Sequence, residues 1–415
     1  MRKCFVVLAS PIHDKSAVEE VASRYFKVLR NNIVDLEYKG LITDSARINE
    51  LKNYDIIIAL IATGGSEQLI IDTAFLKKPV LLIAHSSMNS LPALLEAKPI
   101  VDRVNSRSWV LFSLSPQDLE EKISRIVNGI EKAISLKDLK LGLVGGISSW
   151  LVYSRVDPWL VKERFGIEII EVSLDEVYDA YNKVSERDIA DLANKIMDQA
   201  ERIETSKSRV LNALKIYKAL RNIIERLKLN AITVKCFDII MSLNTTACLA
   251  LAILNNKGIV AGCEGDVPSV LTMILLNKVS GKPVFMGNPS IINGNEVMIA
   301  HCTSPWVIGE GFILKSHFET GKGVGISVKY KEGTMVTIAR LSPDLSTLRI
   351  IKGKIKKGEP FSDKHCRTQV IVELESDGMI LLDKSIGNHY AMVVGDYVLE
   401  LKAFAKALGL NVEVL

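Results

Sequence analysis

Short apolar runs alternate with helix-period segments through the first part of this chain, and that alternation restricts the fold more than any other feature. From Met1 to about Leu136 it places strands at Cys4 to Ala9, Tyr54 to Ile61, Pro79 to His85 and Trp109 to Leu114. Between and after them come the amphipathic Ser16 to Arg30, a helix following Gly64 and Gly65, the helical Leu91 to Ile100, and a long helix from Pro116 to Ser135. Strands separated by helices are the signature of a doubly wound parallel sheet. A second cycle opens at "LKLGLVGG", Leu139 to Gly146, and another strand follows at Ile167 to Val172. Two long helices near Glu186 to Glu204 and Lys207 to Leu227 precede the strand Ala231 to Cys236. The restart at Leu139, after a complete helix, marks a domain boundary.

After about Lys282 the texture changes to short β-rich runs separated by Gly turns. Gly323 to Tyr330, Thr334 to Leu341, Thr347 to Ile351 and Arg367 to Leu374 read as antiparallel strands, with "KEGT" at Lys331 to Thr334 as a hairpin turn. The run "KGKIKKGEP", Lys352 to Pro360, fits a solvated edge better than a phosphate site. A helix at Tyr397 to Leu408 and a strand at Asn411 to Leu415 close the chain. The expectation is an α/β protein of three domains: Rossmann-like domains at 1–137 and 138–281, then a β-rich barrel or sandwich at 282–415.

Composition narrows the function classes. The chain has 415 residues, of which 48% are hydrophobic and 24% charged, so there is ample apolar surface to bury. Lys and Arg number 52 against 48 Asp and Glu, a net charge of +4 that gives no general attraction to nucleic acid or anionic lipid. The opening apolar run, Cys4 to Ser10, is too short for a signal core or a membrane span. Cys4, Cys236, Cys248, Cys263, Cys302 and Cys366 form no CxxC pair and read as reduced thiols of a cytoplasmic protein.

Two glycine pairs, "GLVGG" at Gly142 to Gly146 and "ATGGSEQ" at Ala62 to Gln68, follow strands and open helices, where backbone N–H groups can hold an anion. Neither matches GxGxxG or GxxxxGK[ST], and tight turns at strand ends explain them. The histidines are more informative, since four of six, His301, His317, His365 and His389, fall in the last 115 residues. Glu264 and Asp266 of "CEGD" follow the apolar strand Gly258 to Gly262, at the carboxyl end where α/β sheets place ligand-binding side chains. For Asp266 a helix N-terminal charge is an adequate explanation; Glu264 sits two residues earlier, at the strand mouth. Together with Asn288 of "FMGN", His301 of "MIAHCTSP" and His389 of "GNHYAMVVGD", these residues offer the O and N donors that suit a divalent metal such as Mn²⁺.

At these segments the chain resembles the L-fucose isomerase family, a relative of L-arabinose isomerase. "AGCEGDVPSVLTMILLNKVSGKPVFMGNPS", "AHCTSPW", "CRTQV" and "GNHYAMVVGDYVLELKAFAKALGL" are similar to its C-terminal half, and "LLIAHSSMNSLPALLEA" and "SSWLVYSRVDPWLVKERFGIEIIEVSLDEVYDAY" to its two N-terminal domains. The resemblance implies a homo-oligomer that interconverts aldoses and ketoses, acting on a small-molecule sugar with a divalent metal, commonly Mn²⁺, held by a Glu, an Asp and a His. The Glu falls on Glu264 and the His on His389, while the Asp falls on Asn288, a departure at a ligand position. His301 is similar to a ligand of the arabinose branch and is a candidate fourth.

Moving a proton between C1 and C2 of a sugar requires a carboxylate and stabilisation of the enediolate charge by the metal. Glu264 is the expected ligand and acid/base, with Asp266 as an alternative proton carrier. Asn288 can lend an amide oxygen to a metal but cannot take a proton. That leaves open a non-catalytic sugar-binding or regulatory protein on the same fold, or another metal-dependent sugar transformation such as epimerisation.

Overall fold

Five parallel strands, in the order Leu36–Ile42, Lys3–Leu8, Ile56–Ile61, Val80–His85 and Ser108–Ser113, make the first sheet. The three central strands are buried at every position, which is why they appear in the sequence as unbroken apolar runs. Leu36–Ile42 is an edge strand, buried only at its two ends, and lacks such a run. A second sheet of four parallel strands follows, ordered Val260–Cys263, Ala231–Val234, Leu139–Val144 and Ile167–Val172. The C-terminal part is an antiparallel barrel. Around it run Met335–Leu341, Tyr390–Val394, Phe285–Asn293, Glu296–His301, Thr368–Leu374 and Thr347–Lys357, and the last strand pairs again with the first to close the ring. The α/β class with a β-rich C-terminal barrel is therefore the architecture of this chain.

The computed structural model describes all 415 residues. They form two compact units, Met1–Ser135 with Leu399–Val412, and Leu136–Val398 with Glu413–Leu415. The second unit contains both the four-stranded sheet and the barrel, so position 281/282 lies inside it. The last helix, Val398–Ala407, contributes to the first unit from Leu399 onward: Arg125 Nε and Nη2 donate to the two Glu400 oxygens at 2.6 and 2.7 Å.

Three local expectations are corrected. The helix expected near Glu186 to Glu204 is confined to Ala190–Gln199. The Glu201 N–H turns instead to the Phe312 carbonyl at 2.9 Å, and Arg202–Glu204 pairs in parallel with Gly311–Lys315. "KEGT" does form a turn, but not a hairpin, because Gly325–Lys329 before it pairs with Gly311–Lys315 while Met335–Leu341 after it belongs to the barrel. "KGKIKKGEP" is no edge: Thr347–Lys357 has partners on both sides, and two of its lysines end in ion pairs, Lys352 with Glu375 and Asp396 at 3.2 Å each and Lys356 with Glu296.

The helix Val267–Ser280 positions the functional residues. Asp266 caps it by accepting the Ser269 N–H at 2.9 Å, Pro268 occupies the first turn, and Gly281 ends it in the left-handed region. Residues Val267 to Leu276 are all buried, because the helix packs on the strand Val260–Cys263 and on the barrel strands Met335–Leu341 and Tyr390–Val394. A helix apolar on every side is what such two-sided packing requires.

Candidate metal centre

Glu264 stands at the carboxyl end of Val260–Cys263, in the turn before the Asp266 cap. Its backbone is left-handed, φ 62°, an unusual state for a residue with a Cβ. Two contacts hold it there. The Ser148 N–H donates to the Glu264 carbonyl at 3.0 Å, and Gly265 lies so close to the neighbouring loop that a Cβ on it would fall 2.2 Å from the Gly146 oxygen. Close approach of the two strand-end loops thus rests on Gly265, since a Cβ on Gly146 would meet nothing within 4 Å. That approach brings Trp150 over the site, where its indole Nε1 donates to Glu264 Oε2 at 2.7 Å.

His389 precedes the strand Tyr390–Val394 and is fully buried. Its Nδ1 lies 2.9 Å from Asp266 Oδ2, while Nε2 has no hydrogen-bond partner and sits 3.5 Å from Glu264 Oε1. His301, at the end of Glu296–His301, meets the His389 ring edge-on at 5.6 Å between centroids, and its Nδ1 lies 2.9 Å from Thr303 Oγ1. One donor atom from each of Glu264, His301 and His389 lies within 4.8 Å of the others.

The electrostatics follow from burial and these neighbours. Burial acts to raise the Glu264 pKa, but His389 and the Trp150 indole bring it down to about 2. For Asp266, fully buried, burial is outweighed by Arg340 and then His389, which hold the carboxyl well below the usual range. Burial acts to lower His389, yet the hydrogen bond to Asp266 and the negative charges of Asp266 and Glu264 lift it to about 9. His301 lacks such partners, so burial and the nearby His389 push it down to about 3.

Asp266 is closed in by more than its cap. Oδ1 accepts from Ser269, and Oδ2 accepts from Arg340 Nη1 at 3.0 Å as well as facing His389. Arg340 is itself buried and donates to the His389 carbonyl at 2.7 Å and to Ser154 Oγ at 2.7 Å. Asn288 lies on the barrel strand opposite Ala300, the residue before His301, and its amide oxygen accepts from Asn388 Nδ2 at 3.3 Å. Sequence reasoning missed Trp150, Arg340 and His317. His317 is buried, with the Phe237 ring between it and Trp150. For Trp150 a signal existed, a loop at the carboxyl end of a parallel strand; for Arg340, inside a strand, there was none.

The donors fit a divalent cation: one ionised carboxylate and two imidazoles converge, and a fully buried nitrogen of His389 has no hydrogen-bond partner. An open cavity of about 530 Å³ shares Trp150 with the centre and is further lined by Tyr153, Ser154, Ser385 and Asn388. No helix is long and apolar enough to cross a membrane.

Comparison with known proteins finds likeness to sugar isomerases. Residues 157–281 match the L-arabinose isomerase central domain. Over 361 residues the chain is 24% identical to a sulfoquinovose isomerase of Clostridium sp. (strain MSTE9), covering 82% of this chain and 79% of that protein. It is 22% identical to sulfoquinovose isomerases of Priestia aryabhattai, over 74% of this chain and 71% of the relative, and of Alkalicoccus urumqiensis, over 75% and 73%. The expected likeness to the L-fucose branch in particular is thus replaced by a broader one: what this chain resembles is the sugar isomerase superfamily, in its arabinose and sulfoquinovose members.

Proposed function

We propose that this chain is an enzyme, an intramolecular oxidoreductase that interconverts an aldose and a ketose with a divalent cation, Mn²⁺ being the first candidate. The observation that carries the reading is the convergence of Glu264, His301 and His389 around a buried, unpartnered imidazole nitrogen, at the carboxyl end of a parallel strand. Glu264, His301 and His389 would hold the ion, with the Asn288 amide oxygen as a fourth donor. The cation would supply positive charge where the enediol intermediate develops negative charge. Glu264 is ionised at neutral pH, so it would accept the C2 proton and return it to C1 while the O2 hydroxyl proton passes to O1, turning aldose into ketose with no net gain or loss of protons. Trp150 holds its Oε2, leaving Oε1 directed at His389. Asp266, fully buried with both oxygens occupied, is assigned no proton transfer. The Trp150 and Tyr153 rings offer apolar faces for a sugar, and Ser154 and Asn388 offer groups for its hydroxyls.

The relatives make sulfoquinovose the first sugar to test, with L-arabinose and L-fucose beside it. Mn²⁺-loaded protein incubated with each in D₂O should yield the ketose with deuterium at C1 or C2, read by NMR. A folded, Mn²⁺-binding protein that interconverts no aldose of a broad panel would overturn the enzyme reading. The proposal includes a closed homo-oligomer in the cytoplasm, for which light scattering should give a mass well above 45.8 kDa.

A further inference from the structure

Arg340 is the most connected buried charge in the second unit, and none of its contacts is explained by packing alone. Its side chain is 0% exposed. Nη1 donates to Asp266 Oδ2, Ser269 Oγ and the His389 carbonyl; Nη2 donates to Ser154 Oγ; Nε donates to the Ile386 carbonyl at 3.3 Å. Gly387 lies against the guanidinium, where a Cβ would fall 2.3 Å from Nη2. The segment Ile386 to His389 is therefore hydrogen-bonded to one side chain at its start and end and packed against it between. Asp266, fastened to the same guanidinium, presents Oδ2 to His389 Nδ1.

Resting on the reading of Glu264, His301 and His389 as a cation site, we propose that Arg340 is a positioning residue for that site: it sets the His389 ring so that Nδ1–H faces Asp266 and Nε2 faces the cation. Two geometric facts and the chemistry of the guanidinium support this. Arg340 grips both the backbone of His389 and the carboxylate that receives its ring, so ring and main chain cannot shift independently. Nε2 is left buried and unpartnered toward Glu264. Lysine cannot replace the guanidinium, since a point charge on a flexible stem cannot serve Asp266, Ser154 and two carbonyls at once. Groups that orient a metal-ligating histidine typically change metal affinity by about 10- to 100-fold when altered.

The test compares wild type with Arg340→Lys and Ser269→Ala. Ser269 Oγ joins Arg340 to the His389 carbonyl, so its loss weakens the same tether while keeping both charges. Mn²⁺ affinity is measured by calorimetry on metal-free, folded protein. In parallel, ¹⁵N-histidine labelling follows the Nδ1–H resonance of His389 without metal, assigned by its loss in His389→Gln. Arg340→Lys should weaken Mn²⁺ binding by about 10- to 100-fold and open Nδ1–H to faster exchange, with Ser269→Ala changing both in the same direction by several-fold. Lower thermal stability with unchanged affinity and an unchanged Nδ1–H signal would make Arg340 merely structural and overturn the inference. If Arg340→Lys fails to fold, Ser269→Ala with both readouts unchanged overturns it equally. A wild type that binds no Mn²⁺ would instead sink the cation-site reading itself.

Discussion

A histidine held in its charged form, protonated on both ring nitrogens, must release the Nε2 proton for any cation to bind there. Asp266 and Glu264 lift His389 from 6.5 to about 9, so its charged form stabilises the metal-free fold. That contribution is fully present below about pH 6.5 and is lost as pH rises through about 9. A cation at Nε2 competes with the same proton, so its stabilising effect has the opposite trend. EDTA-treated protein should therefore gain melting temperature on adding Mn²⁺, and calorimetry should show a larger gain near pH 8.5 than near pH 6, by about a factor of ten in affinity per pH unit at most. Glu264→Gln or His389→Ala should lose most of that gain, and a gain independent of pH would count against His389 as a ligand. Asn288 gives a second prediction at this scale. Asn288→Asp keeps the shape and the acceptor used by Asn388 and adds one negative charge, so Mn²⁺ should bind several-fold tighter. Unchanged affinity would place residue 288 outside the coordination sphere.

Among the connecting elements, the Glu264 turn is the most tightly specified. Gly265 has φ +72°, and a Cβ there would meet Gly146 oxygen at 2.2 Å and Ile147 Cα at 2.8 Å. Gly281 has nearly the same φ, +68°, with open space around it. Gly281→Ala should cost about 1 kcal/mol in thermal or urea unfolding, whereas Gly265→Ala should cost about 2 kcal/mol or more and weaken Mn²⁺ binding by moving Glu264. Elements like these show what a sequence displays. Strands buried on both faces, such as Ile56–Ile61, and the Asp266 cap with Pro268 after it are written in local residue types. Glu264, at a strand mouth, was legible for the same reason, whereas His389 stood out only through the resemblance of "GNHYAMVVGD" to a known family. What was hidden is set by distant partners. Leu36–Ile42 is polar in its middle because an edge strand is half in water, Arg202–Glu204 becomes a strand only by meeting Gly311–Lys315, and Arg340 gains its role from Asp266, 74 residues away.

In the whole molecule, the first unit is discontinuous in sequence. Residues Leu399–Val412 complete it, burying Leu401, Ala403, Phe404 and Ala405 and pairing Glu400 with Arg125. Gly129 is matched to that helix, for a Cβ would fall 2.4 Å from the Glu400 carbonyl. Removing residues 398–415 should therefore destabilise Met1–Ser135 by several kcal/mol, about 1.5 to 3 for each large apolar side chain no longer covered. Hydrogen exchange of the truncated chain, compared with full length, would show whether protection falls in the first sheet. Unchanged protection there would mean that the five strands are self-sufficient. The ribosome makes this arrangement consequential. The unit that Met1–Ser135 opens is completed late, because its closing helix emerges only after residues 136–398 of the second unit have been synthesised. Throughout that interval the nascent chain carries an uncovered apolar face, a natural stretch for chaperone capture, and a stalled chain ending before residue 398 should be cut by protease within its first 135 residues.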